Sequence, residues 1–350
     1  MSKEQEIIDI PADDVDLFEH FHLLVDKGQA PLRLDKFLTS RLESTSRNRI
    51  QLASAAGYIL VNGKPSKNNY QVKPLDDIRI MLPYERRECR IEAEAIPLNI
   101  AYEDDDLLVV NKPAGLTVHP GHGNYTGTLI NALAYHMGLR GVVESKDNRM
   151  GMLVHRIDKD TSGLLVVAKT DEAQFFLAKQ FFNHTVKRCY KALVWGDLDQ
   201  DEGTIEGNIG RHPNDRLRFC VFPDGKEGKH AVTHYRVLER FGYVTLVECR
   251  LETGRTHQIR VHMEHLGHPL FNDARYGGDR IRQGTQFTKY KQFVENCFDL
   301  MPRQALHAQT LGFIHPTTRK ELFLEAPLPQ DFVSVLEKWR TYTKANVLRD

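Results

Sequence analysis

The apolar positions change period along the chain, and each change marks an element. Phe18 to Val25 carries enough apolar residues for an edge strand. Leu34, Phe37, Leu38 and Leu42 fall at helical spacing and predict a short helix. Ser46 reads as the cap of a second helix, Arg47 to Ala56, ended by Gly57. Tyr58 to Val61 is an aromatic and β-branched run, Asn62-Gly63 reads as a type I′ hairpin turn, and Ile78 to Leu82 is another strand.

Further along, Leu107 to Val110 reads as a short buried strand and Thr126 to Met137 as a helix. Met152 to Val154 and Leu164 to Val167 are strands flanking a polar turn, and Asp171 is placed to cap a helix through Phe182. Val186 to Val194 alternates as a strand does, and Arg211 to Lys229, polar, basic and punctuated by glycine, predicts a long projecting hairpin. A strand at Val244 to Leu251 precedes a helix from Thr256 to Leu266, ended by Gly267. Strands Leu306 to Phe313 and Leu322 to Leu324 surround a His315-Pro316 turn, and a last helix spans Asp331 to Trp339. Strands outnumber helices and do not alternate strictly with them. The expected class is therefore α+β with a mixed, mostly antiparallel sheet flanked by helices and loops, not a dinucleotide-binding doubly wound sheet.

The 350 residues predict two domains. With 41% apolar and 27% charged residues the chain has material for a full core. Formal net charge is zero, but its distribution is uneven. Residues 1–30 hold eight acidic residues against two basic, and 31–82 hold nine basic against four acidic. The expected division is an acidic mobile tail over 1–17, a small basic domain over 18–84, a charged linker over 85–97 and a larger domain over 98–345. No apolar run reaches transmembrane length, and the polar N-terminus is unlike a signal peptide. Five scattered cysteines with no CxxC pair fit a reducing compartment, the bacterial-type cytoplasm, and give no zinc ribbon.

Candidate chemistry concentrates in His155-Arg156-Ile157-Asp158-Lys159-Asp160-Thr161-Ser162-Gly163, a polar connection between two core strands. Arg156 and Lys159 flank Asp158 in a setting that favours a carboxylate acting as nucleophile or base, or else a capping loop with an Arg–Asp pair. In Thr253 to His262, Thr256 reads as a helix N-cap with Arg255 just outside it, a position that suits anions. His257, His262, His265 and His268 crowd here, but lack the spacing of a zinc-binding helix and read as structural or RNA-facing. Gly121-His122-Gly123 is a near-miss for a phosphate loop. Tyr190, alone, reads as core packing.

Two resemblances sharpen this picture. Leu34-Asp35-Lys36-Phe37-Leu38, the basic second helix and Tyr58-Ile59-Leu60-Val61-Asn62-Gly63-Lys64 resemble the S4 RNA-binding domain. Asn111-Lys112-Pro113-Ala114-Gly115, the His155 to Leu165 segment, Tyr190-Lys191-Ala192-Leu193-Val194, Gly228 to Ala231, Gly254 to His262, Leu266 to Pro269 with Asp273, and Leu306-His307-Ala308 resemble the RluA-type pseudouridine synthases, in that family's order. With the S4-like front, the chain looks most like the large-subunit ribosomal RNA synthases of the RluC/RluD kind. One departure is Asn272, where the family often has glycine before the aspartate.

The resemblance implies isomerisation of uridine to pseudouridine in RNA, with neither cofactor nor metal, by a monomeric enzyme with no membrane partner. Asp158 matches the essential aspartate, Arg255 the arginine paired with it and Tyr190 the residue packed on the uracil. The target base must be flipped out, with Arg156 filling the vacated stack. Lys112, the Arg211 to Lys229 hairpin and His155 are expected to face RNA. Arg33, Lys36, Arg47, Arg49 and Lys64 are expected to bind RNA phosphates from the small domain. Other readings are the same chemistry on transfer RNA, a non-catalytic ribosome-assembly factor, and a metal-dependent hydrolase built on the histidines.

Overall fold

The computed structural model describes residues 17–42, 45–82, 90–120, 125–144 and 152–347. The chain divides into two compact units between Arg86 and Arg87. The tail expected over 1–17 and the glycine-rich segment at 121–123 lie outside the described residues, except for Leu17.

In the first unit β1 (Phe18–Leu24) and β2 (Leu32–Arg33) precede α1 (Leu34–Arg41) and α2 (Arg47–Ala55). Then come β3 (Ile59–Val61), β4 (Lys64–Pro65), β5 (Gln71–Val72) and β6 (Asp77–Leu82). Ser46 caps α2 by accepting from the Arg49 N–H at 3.2 Å, and Gly57 ends it at φ +81°. Asn62 and Gly63 both have positive φ, 52° and 78°, which is the type I′ turn between β3 and β4. The sheet order is β1-β6-β3-β4, so β1 takes the edge place expected for it. Leu34, Phe37, Leu38 and Ile50 of the helices are buried, as are Ile59 and Ile78 of the strands.

The second unit begins with β7 (Arg90–Glu92), β8 (Ile100–Glu103), β9 (Leu107–Lys112), α3 (Leu129–His136) and β10 (Val142–Glu144). It continues with β11 (Met152–Leu153), β12 (Ser162–Ala168), α4 (Asp171–Phe182), β13 (Lys187–Trp195), β14 (Glu202–His212) and β15 (Asp215–Phe222). After β16 (Lys229–Arg240) and β17 (Val244–Leu251) come α5 (Gln258–His265), α6 (Thr288–Leu300), β18 (Leu306–Ile314), β19 (Glu321–Glu325) and α7 (Gln330–Val347). Arg90–Glu92, expected in a linker, is a strand paired with β10.

The main sheet has eleven strands in the order β15-β14-β16-β17-β13-β18-β12-β9-β8, with β11 on β12 and β19 on β18. Among the described residues only the β12–β18 pairing is parallel, so the sheet is mixed and mostly antiparallel as expected. Strand alternation sorts the core into two sides. Leu108, Val110, Leu165, Val167, Tyr190, Ala192 and Val194 pack with Leu133 of α3 and Ile259 and Met263 of α5. On the other side Leu107, Val109, Leu164 and Val166 meet Ala173 and Leu177 of α4. Leu193, Trp195 and Leu246 meet Val294 of α6 and Trp339 of α7 there. Covered on both faces, β12 is buried along all seven residues.

Three local readings change. Thr170, not Asp171, caps α4, through the Ala173 N–H at 3.1 Å. The Arg211 to Lys229 segment does not project as one hairpin: β15 forms the edge of the main sheet, and Phe219 and Val221 pack with Val261 of α5 and Tyr276. The helix expected from Thr256 starts at Gln258, with His257 at its N-cap in left-handed backbone, φ 57°. No helix among the described residues is long and apolar enough to cross a membrane.

Candidate active site

Asp158 lies on the connection from β11 to β12, and main-chain anchors hold that connection. The Thr161 N–H donates to the Asp158 carbonyl at 3.1 Å. Arg303, itself bidentate to Asp331 of α7 at 2.7 and 3.0 Å, donates from Nη1 to the Asp160 carbonyl at 3.1 Å. Ser162 Oγ and His307 Nδ1 pair at 2.9 Å, where β12 meets β18. Gly163 has φ +115°, and a Cβ there would fall 2.1 Å from the Ala308 carbonyl oxygen. Only glycine lets these two backbones approach so closely.

Lys112 completes the anchorage, which corrects the phosphate-gripping role expected of it. Its side chain is fully buried, and Nζ donates to the carbonyls of Pro113, Leu116 and Lys159 at 2.8, 2.9 and 2.8 Å. All three ammonium donors are consumed inside the fold, so none is left for RNA. Burial pulls its pKa down to about 7, against the opposing charges of Asp160 and Asp158.

The guanidinium on Asp158 is that of Arg260, not Arg255 as expected. Arg260 Nη1 donates to Asp158 Oδ2 at 2.8 Å, and its Nε and Nη2 form a fork with Asp273 at 2.7 and 2.9 Å. Asp273 is 1% exposed, so the fork is fixed. Burial opposes the Arg260 charge, but Asp273 and then Asp158 outweigh it and raise the pKa. Asn272, before this aspartate, has φ +56°, a conformation asparagine tolerates and glycine adopts freely. Arg255 itself donates from Nε to the His230 carbonyl at 2.9 Å.

The start of α5 is held by Gln258, whose amide uses every donor and acceptor it has. Oε1 accepts from the Arg255 N–H at 2.9 Å and from Thr253 Oγ1 at 2.7 Å. Nε2 donates to the Val232 carbonyl at 2.9 Å and to Thr233 Oγ1 at 3.0 Å. This lock stabilises the strained His257 next to it. His257 Nε2 stands 3.8 Å from Asp158 Oδ1, and its Nδ1 lies 2.8 Å from the Tyr276 hydroxyl. The Phe219 N–H donates to that hydroxyl at 3.2 Å, so we assign the tyrosine proton to His257 Nδ1 and the imidazole proton to Nε2. Burial keeps the ring neutral, with its pKa down at about 4, against the charge of Asp158.

Tyr190, on β13, is buried in the same core side. Its pKa is raised, first by burial, with Arg188 acting against and Asp158 adding to the rise. Arg156 is exposed. His155 turns inward: its Nε2 accepts from the Val166 N–H at 3.0 Å and its ring stacks on Phe181 at 4.4 Å. The other histidines go to separate partners, His262 to Thr233 Oγ1 at 2.9 Å and His268 to the Trp195 carbonyl at 2.8 Å.

In the first unit Asp35 is buried and accepts from Arg33 Nη2 at 3.1 Å and Arg47 Nη2 at 2.8 Å. Burial opposes the Asp35 charge, but these partners and Gln51 hold its pKa far below the carboxylate range. Two of the five cations expected to contact phosphates therefore also neutralise a core carboxylate. Lys36 and Lys64 are exposed and Arg49 is half-buried.

Arg260, His257, Tyr276 and Asp273 stand in the site although the sequence does not single them out as catalytic. The signal for Arg260 is a charge set between Ile259 and Val261 in a short helix. A carboxylate with one oxygen fixed by a buried arginine and the other facing a neutral histidine, beside a buried tyrosine, suits nucleophilic or proton-transfer chemistry without net redox change.

Known proteins agree with that chemistry. The sequence profile described as RNA pseudouridylate synthase matches residues 106–265. The chain is 48% identical over 324 residues to an uncharacterized RNA pseudouridine synthase of Chlorobaculum parvum, covering 92% of this chain and 98% of that one. It is 44% identical over 327 residues to the ribosomal large subunit pseudouridine synthase D of Nitrosomonas europaea, covering 93% and 90%. Among solved structures, human RNA pseudouridylate synthase domain containing 4 superposes with a TM-score of 0.54 at 26% identity, covering 69% of this chain and 93% of that one. The chain belongs to the RNA pseudouridine synthase family.

Proposed function

We propose that this protein converts uridine to pseudouridine in large-subunit ribosomal RNA, with Asp158 as the essential carboxylate. The observation that carries the reading is the Asp273–Arg260–Asp158 chain of charge-assisted hydrogen bonds, which fixes one oxygen of a half-buried carboxylate and leaves Oδ1 for chemistry. The name of the Nitrosomonas relative supports the choice of RNA.

In this reading Asp158 acts at the sugar of a flipped-out uridine, either attacking C1′ or taking a proton on a glycal route. The bond between N1 and C1′ breaks, the uracil turns, C5 bonds to C1′, and the proton on C5 is lost while N1 takes one up. Tyr190 packs on the uracil, and its raised pKa keeps the phenol protonated at neutral pH. His257 steadies Asp158 Oδ1 through its Nε2–H, a contact that shortens when substrate closes the site. Arg156, exposed beside the carboxylate, fills the gap left in the stack. The first unit serves as an S4-like RNA-binding domain, with Lys36 and Lys64 presenting charge to phosphates and Arg33, Arg47 and Arg49 adding to it.

The test is loss and rescue in cells. Deleting the gene and mapping pseudouridine across ribosomal and transfer RNA by carbodiimide and primer extension should remove stops in large-subunit RNA. The wild-type gene should restore them and Asp158→Asn should not. Stops lost from transfer RNA alone would move the substrate, and full rescue by Asp158→Asn would favour a non-catalytic assembly factor.

A further inference from the structure

Arg188 is a cation that the reaction chemistry above does not use. It lies on β13, two residues before Tyr190, and is half-buried. Among the described residues no carboxylate lies within ion-pair distance of it. Of its five N–H donors one reaches an acceptor among the described residues, from Nη2 to the Thr253 carbonyl at 3.4 Å, and Nε is buried with no partner among them. The guanidinium carbon stands 5.5 Å from the Phe181 ring centroid. Nη1 lies where a side chain on Gly254 would begin, 2.9 Å from that Cβ position, so the glycine keeps the place open for the arginine.

A second orphan stands at the same end of the sheet. His155 Nε2 accepts from the Val166 N–H, so the ring proton of the neutral imidazole is on Nδ1, which is buried without a partner. Arg188 and His155 are close enough for the arginine charge to help lower the histidine pKa, after burial. Both orphaned atoms are donors, and a half-buried cation with unspent donors costs free energy until an anion meets it. Arg255, next to Gly254, adds positive charge. His155 is three residues before Asp158, and Tyr190 is influenced by both Arg188 and Asp158.

We propose that Arg188 anchors a phosphodiester of the RNA strand that flanks the extruded uridine, at a site distinct from the Asp158–Arg260 pair. The contact fixes the sugar–phosphate backbone on one side of the target, so that C1′ arrives at Asp158 in register. It rests on the reading that RNA is the substrate brought to Asp158. The guanidinium offers a fork of N–H groups that matches two phosphate oxygens, which an ammonium does not.

The test uses the full-length protein and a synthetic stem-loop carrying the uridine that the wild-type enzyme converts, with single neutral methylphosphonates at each phosphate within three nucleotides of it. Binding by anisotropy and turnover by tritium release are read together. For the wild type, neutralising one flanking phosphate should weaken binding about tenfold or more, the size of one charge-assisted contact. Arg188→Gln should show about the same loss on unmodified RNA, no further loss at that one phosphate, and a salt slope of log affinity lower by about 0.7–0.9. Arg188→Lys should recover binding only in part. A wild-type profile flat across all positions, or an Arg188→Gln profile identical to it, overturns the proposal. The wild-type series needs no variant, so it decides even where Arg188→Gln fails to fold. Wild-type protein that binds but never releases tritium would count against the isomerase reading, while the binding series still judges the phosphate contact.

Discussion

Replacing Arg260 by lysine, beside the same change at Arg255, tests which arginine holds Asp158. Arg260 makes three charge-assisted hydrogen bonds, two to Asp273 and one to Asp158. A single ammonium has no fork and keeps about one of them. Losing two such bonds at about 1.5–3 kcal/mol each gives about 3–6 kcal/mol, with the lower end expected once the site relaxes. In a domain of this size about 3 kcal/mol lowers Tm by about 6–12 °C. Turnover should fall further, because a shift of about 1 Å in a catalytic group costs on the order of 100-fold. Arg255→Lys leaves the fork between Asp273, Arg260 and Asp158 in place and should keep turnover within about tenfold. Calorimetry and single-turnover tritium release on both variants read these quantities. If Arg255→Lys lost more turnover than Arg260→Lys, or if Arg260→Lys melted like the wild type, the assignment of the buried fork to Asp158 would be wrong.

Other consequences follow from the same geometry. Lys112→Met removes the buried ammonium from three carbonyls, of which that of Lys159 keeps the Gly115 N–H, and should reduce turnover at least about tenfold while the salt slope of RNA binding stays put; a slope lower by about 0.7–0.9 would mean the lysine touches phosphate after all. Tyr276→Phe and His257→Asn should each lower kcat with little change in RNA affinity, and equal loss of binding in both would show that the pair merely supports the fold. Glu248, 8% exposed, is resisted by burial but held by Lys191 and Arg236, which bring its pKa from 4.5 to about 2. That depression is worth about 3 kcal/mol of stability, complete above pH 4.5 and lost as pH falls towards 2. Glu248→Gln should therefore melt lower at pH 7 and show a flatter decline between pH 4.5 and 2; an unchanged acid limb would contradict this.

Local chemistry made much of the fold legible. The i, i+3, i+4 pattern of Leu34, Phe37 and Leu38, the Ser46 cap and the Asn62-Gly63 turn are all written within a few residues of the structure they cause. So is Asp158, because a polar run between two apolar strands stands out. The misreadings involve long-range pairing or rare backbone. Lys112 reads as a surface cation in the sequence, yet it continues the alternation of Leu108 and Val110 into the interior, where one carbonyl 47 residues away and two from its own loop receive it. Arg260 was overlooked because its partners, Asp158 and Asp273, are 102 and 13 residues distant. Thr256 looked like a cap because no sequence pattern announces that a histidine will adopt positive φ. The case of α6 is different in kind: Tyr290, Phe293, Val294, Cys297 and Phe298 show helical spacing plainly in the sequence.

The most direct measurement of the central claim is tritium release from 5-tritiated uridine in unmodified large-subunit ribosomal RNA, comparing wild type with Asp158→Asn at matched RNA occupancy. The product has the same mass as the substrate, so loss of the C5 hydrogen is the signal that counts. Release by the wild type alone, with Asp158→Asn still bound to the RNA, is the predicted result. Equal release by both proteins, or none from the wild type on ribosomal RNA in any form, would contradict it.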